Sequence, residues 1–73
     1  MRYELIREIF NQCSGNQMRD VFVSSVETDD TLAYLRSVLV GSEITIESTE
    51  TRDGVIYDVT TDGLHQRFSF TED

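Results

Sequence analysis

Lysine is absent from this chain, and all six basic residues are Arg, set against fourteen Asp and Glu for a formal net charge of -8. A surface so poor in cations cannot neutralise phosphates, which excludes nucleic acid and anionic lipid as charge-driven partners. The same charge favours solubility and partners with basic surfaces. A salt-adapted host would impose a similar acidity. With Cys13 as the sole cysteine, no intrachain disulfide can form, which suits a reducing compartment. Long apolar runs are also lacking: nothing approaches the ~18 residues of a membrane span. In MRYELIREIF the charges of Glu4, Arg7 and Glu8 break up what would have to be the apolar centre of a signal peptide. The expectation is a cytoplasmic protein with no membrane partner.

The four glycines are isolated, which excludes a Gly-rich phosphate loop, and no cofactor is expected. Ser24, Ser25 and Ser69 lack the context of a nucleophile elbow. Seventy-three residues leave room for one domain, 1-73, and a chain this short buries only about 60% of the surface its unfolded form exposes. What is present is enough apolar material for one core, 38% of the residues, and it is periodic rather than diluted.

Leu5, Ile6, Ile9, Phe10 and Cys13 recur at one-, three- and four-residue steps, with Glu4, Arg7, Glu8 and Asn11 between them. That spacing predicts a helix from Arg2 to about Gln12, closed by Gly15. RDVFVSSVE, Arg19 to Glu27, is rich in β-formers and predicts a strand; it is apolar on both faces near its start, so its inward face is left open. TDDTLAYLRSVLVG predicts a second helix. Thr28 or Asp29 caps it, Leu32, Leu35, Val38 and Leu39 form its buried stripe, and Gly41 ends it.

The last third holds two Thr-x-Asp-Gly tetrads nine residues apart, ending at Gly54 and Gly63. Neither fits a calcium loop: the paired glycines of nonapeptide repeats and the alternating acids of an EF-hand are both missing. Asp-Gly is instead the strongest short hairpin signal. A two-residue turn at Asp53-Gly54 sets Glu50 opposite Tyr57, Ser48 opposite Val59 and Ile46 opposite Thr61. A second at Asp62-Gly63 sets Thr61 opposite Leu64, Tyr57 opposite Phe68, Val55 opposite Phe70 and Asp58 opposite Arg67. The two registers agree on one apolar face of Ile44, Ile46, Val55, Tyr57, Val59, Leu64, Phe68 and Phe70, and a one-residue slip at either turn would break it.

The expected fold is therefore an α+β two-layer sandwich in the order α-β-α-β-β-β. A C-terminal three-stranded antiparallel meander sits in a roughly four-stranded sheet, with two helices on one face. The first strand, second helix and next strand form a β-α-β crossover.

Candidate sites follow from that layout. Cys13 on an apolar stripe reads as a small buried hydrophobe. Asp29 and Asp30 read as caps rather than metal ligands, and no metal site is expected. His65 faces Thr60, with Glu47 beyond, but without further convergent groups this row is not read as catalytic. The candidate interaction surface is the polar sheet face: Glu43, Thr45, Glu47, Thr49, Ile56, Asp58, Thr60, His65 and Arg67, with Ile56 its one large apolar residue. The functional expectation is a non-catalytic protein-binding or accessory module, with a protein partner of basic surface or a homodimer centred on Ile56. The alternatives are an acidic mimic of nucleic acid occupying a DNA-binding protein's groove and, third, a small enzyme using His65 or Cys13.

Overall fold

The computed structural model describes residues 1–10 and 19–73; Cys13 and the proposed helix end at Gly15 lie outside the described residues. Five strands and one helix follow in the order β1 (Arg2–Phe10), β2 (Arg19–Glu27), α1 (Thr31–Val38), β3 (Ile44–Thr51), β4 (Gly54–Thr61) and β5 (Leu64–Glu72). They form a single antiparallel sheet in the spatial order β2-β1-β5-β4-β3. This corrects the expected sandwich: the sheet has five strands rather than four, and one short helix rather than two covers it among the described residues.

The difference originates in β1. Its doublets Leu5-Ile6 and Ile9-Phe10, four residues apart, satisfy a helical stripe, yet the same segment forms a nine-residue strand between β2 and β5. Both of its faces carry apolar residues, Leu5 and Ile9 on the core side and Ile6 and Phe10 on the other. The period of two is hidden by Arg7, which sits on the core face. Its Nε and Nη2 donate to Gln66 Oε1 at 3.2 and 2.8 Å, its guanidinium lies 5.2 Å from the Phe68 ring centre, and Gln66 Nε2 donates in turn to Thr61 Oγ1 at 3.1 Å. Gln66 and Thr61 are both buried. A polar chain across three strands thus keeps these groups satisfied inside the core layer, where an unpaired polar atom would be costly.

The hairpin from β4 to β5 has the register read from its turn: Thr61 faces Leu64, Tyr57 faces Phe68 and Val55 faces Phe70. Asp62 and Gly63 both take positive φ, 49° and 87°, as a mirror-image turn requires. The hairpin from β3 to β4 turns instead at Arg52 and Asp53, neither of which has positive φ. Ile46 faces Val59, Ser48 faces Tyr57 and Glu50 faces Val55, two residues from the expected register. A two-residue slip preserves the faces, so the apolar set survives the correction. Gly54 belongs to β4 for another reason: a Cβ there would run into the carbonyl oxygen of Phe70 on β5.

The core is Leu5, Val26, Leu35, Tyr57, Val59, Phe68 and Phe70, with Leu32, Tyr34 and Leu39 of and beside α1 packed against it. Three tyrosines meet Phe70 in T-shaped pairs, Tyr3, Tyr34 and Tyr57, with centroids 5.8 to 6.1 Å away, an arrangement aromatic quadrupoles favour. Helix α1 is capped by Asp30, whose carboxylate accepts from Ala33 N at 3.1 Å, not by Thr28 or Asp29. It ends at Val38 with an extended Leu39 as cap, before Gly41; β-branched Val38 and Val40 are poor helix formers. The pairing makes β2 and β3 run in the same direction, so α1 does make a crossover, but one that spans the whole sheet from one edge strand to the other.

Candidate interaction surface

On the face away from α1, the register places Thr45 beside Thr60, Glu47 beside Asp58 and Thr49 beside Ile56. Thr60 then faces His65 and Asp58 faces Arg67. The expected row of Glu47, Thr60 and His65 is therefore broken: Glu47 sits opposite Asp58, an unfavourable like-charge position. Glu43 lies just before β3, where its backbone N donates to Asp62 Oδ1 at 3.0 Å.

One cluster on this face is tightly built. Arg67 Nε donates to Asp58 Oδ1 at 3.0 Å, and His65 Nε2 lies 3.3 Å from the same oxygen. Partial burial by itself would raise the Asp58 carboxyl, but the hydrogen bonds and charges of Arg67 and His65 outweigh it and hold the group below its ordinary value. Phe10 stacks on the His65 ring at 4.7 Å and 17°, and the Arg67 guanidinium sits 5.4 Å from the Phe10 ring centre. Asp58 against Arg67 was legible as a cross-strand pair; Phe10 was not, because a helical reading of residues 2–10 turned it into the core. Strand alternation in β1 would have put it here. The cluster holds a charged pair and two stacked rings, with Thr60 opposite His65 on the neighbouring strand. Among the described residues no group of three or more His, Cys, Asp or Glu could hold a metal ion.

Ile56 is half-buried and is not the sole large apolar residue of this face. Ile6 and Phe10 of β1 share it, and so do Val21 and Val23 of β2, which are 51% and 65% exposed. On the opposite face Phe22 is 55% exposed. It borders a groove of about 350 Å³ lined by Leu5, Ile9, Phe68, Tyr34 and Val38, among others. Tyr34 and Val38 of α1 form one wall of this groove, on the face where two helices had been expected. The apolar side chains left bare are Val21, Phe22 and Val23 of β2, a segment whose sequence predicts a strand without fixing its inward face.

No protein family, no curated protein and no solved structure matches the chain. Among the described residues no helix is long and apolar enough to cross a membrane.

Proposed function

We propose that this domain is a non-catalytic protein-binding module and that β2 is its binding edge. The observation that carries the reading is the run Val21-Phe22-Val23, more than half exposed at every residue on an outermost strand of the sheet. An edge strand offers a row of unpaired backbone groups, and proteins that do not use such an edge normally blunt it with charge, proline or a cover. From Val21 to Val26 the strand has no charged residue at all. Addition of an extended segment supplies main-chain hydrogen bonds for affinity and alternate side chains for specificity. A cytoplasmic setting belongs to the same reading, resting on the single cysteine.

The acidic-mimic reading is weaker, because several of the acids serve the chain's own structure. Asp30 caps α1, Asp58 holds Arg67, and Asp62 accepts from Ser42 and Glu43.

A photo-crosslinking residue placed at Val23, and in a second protein at Thr49 on the opposite edge, tests the proposal in host lysate. Discrete protein adducts from position 23 and none from position 49 are expected. Equal labelling from both, or none from position 23, would overturn it.

A further inference from the structure

Resting on that reading, we infer that the occupant of the β2 edge is a second copy of this chain, joined strand to strand about a two-fold axis through Val23.

The parity of the backbone decides what an incoming strand meets. Thr28 N donates to Met1 O at 3.0 Å, which continues the β1–β2 register in which residue numbers sum to 29. Hydrogen-bonded pairs in an antiparallel ladder recur every second residue. The even-numbered residues of β2, Asp20, Phe22, Ser24 and Val26, therefore bond β1. The odd-numbered ones, Val21, Val23 and Ser25 among them, direct N–H and C=O toward the open edge. A second antiparallel strand must then pair odd with odd.

A two-fold axis at Val23 meets this rule and uses the whole strand. Val23 faces its own copy, Val21 faces Ser25, Phe22 faces Ser24, and Arg19 takes the position opposite Glu27 at both ends. A register centred on Phe22 would leave Val26 and Glu27 beyond the end of the partner strand, and one centred on Ser24 would leave Arg19 and Asp20 there. The central register also gathers the exposed apolar residues. Val21 and Val23 of both copies form one cluster on the outer face, and the two Phe22 rings lie on the groove side in diagonal positions, within reach of aromatic side chains. The strand is thus self-complementary in backbone parity and in apolar pattern, as an isologous interface requires. The two sheets would become one of ten strands.

Each copy carries a net charge of -8, so the approach of two copies is opposed by long-range repulsion that salt screens. Self-association through β2 should tighten as ionic strength rises. Capture of a basic partner would weaken.

Sedimentation of the whole chain over a range of concentrations and salt, with amide exchange followed by NMR, tests the inference. A dimer is expected, favoured by salt, in which the amides of Val21, Val23 and Ser25 gain protection as concentration rises. Val23→Pro removes an edge-facing donor without touching the β1 ladder, and loss of the central pair of hydrogen bonds should weaken the dimer by about thirtyfold. Val23→Lys and Val23→Glu, which oppose like charges across the axis, should each be monomeric, and a one-to-one mixture of the two should dimerise again. That recovery depends on residue 23 facing its own copy and does not depend on the proline variant's folding. A monomer at every concentration, or a dimer that all three variants leave intact, would overturn the inference. A monomer that still gives adducts from position 23 would leave the protein-binding reading standing with a different partner.

Discussion

The two edge strands of this sheet are nearly equal in length, nine residues in β2 and eight in β3, but they are finished differently. Strand β3 carries Glu47 and Glu50 and four threonines or serines. Its inward side meets α1, where Leu39 lines a pocket with Ile44 and Ile46. Its start is fastened by Asp62, which accepts from Glu43 N, Ser42 Oγ and Ser42 N at 3.0, 3.1 and 3.3 Å. Strand β2 carries no charge between Val21 and Val26, and Phe22 on its inward side stays 55% exposed. In one small chain, two exposed edges carry different side chains, acids and hydroxyls on β3 and an uncharged apolar run on β2. What separates them is side-chain chemistry rather than topology.

The largest test of that contrast concerns the helix cover. Leu35 is fully buried, whereas Phe22 is 55% exposed. Leu35→Ala should cost about 2–5 kcal/mol in denaturant unfolding. Phe22→Ala, measured on dilute protein, should stay within about 0.5 kcal/mol, as for other surface changes. A large effect of Phe22→Ala in the monomer would mean that the β2 side is covered after all.

Proline substitutions sharpen the comparison through backbone parity. The bond from Asp62 N to Glu43 O makes the odd-numbered residues of β3 bond β4, so at this edge the even ones face outward, the reverse of β2. Ser24→Pro and Glu47→Pro should each orphan a ladder carbonyl at a cost of about 1–3 kcal/mol. Val23→Pro and Ser48→Pro, whose amides face outward, should cost clearly less, since edge positions of this kind accept proline. Equal losses at all four positions would refute the assigned parity.

Of similar or smaller size is the effect of Arg7→Ala, which leaves Gln66 Oε1 without its donor. About 1–3 kcal/mol should be lost, with more rapid exchange of the amides that join β1 to β5. The smallest effect is a pH response at the β3 side. Backbone donation from Glu43, and after it donation from the Ser42 hydroxyl, holds the Asp62 carboxyl below its ordinary value. The contribution of a depressed carboxyl is present above its unfolded pKa and is lost as pH falls through the folded one. The Glu43 amide resonance should therefore titrate at a pH below the ordinary carboxylate range. A midpoint at the ordinary value would show that the fastening is not formed.

The C-terminal meander was the legible part of the sequence. Asp62-Gly63 is a mirror-image turn on both counts, residue type and φ, and it carried the register of β4 and β5 with it. The preceding turn was misplaced because Asp-Gly was credited with turn geometry at a position where glycine instead answers a steric demand from Phe70. The error left the faces intact because it was even. Residues 2–10 were misread for a different reason: apolar doublets four apart suit a helix and a two-sided strand alike, and the arginine at the core position removed the alternation that separates them. Of the candidate surface, Asp58 with Arg67 followed from the correct hairpin. The Phe10 stack and the bare β2 edge could not follow without β1 as a strand, since only then does β2 acquire a neighbour on one side and none on the other.

The contact of Arg7 with Gln66 has a consequence for the order in which the chain can be assembled. Hydrophobic strands slide past one another by two residues at little cost, and β1, apolar on both sides, is poorly indexed by its oily residues alone. The guanidinium donates to the Gln66 carbonyl beside the Phe68 ring, so a mis-set β1 would leave a cation against an apolar ring without that acceptor. That polar latch, together with the stacking of Phe10 on His65, favours one alignment of β1 on β5 and, through β1, where β2 comes to rest.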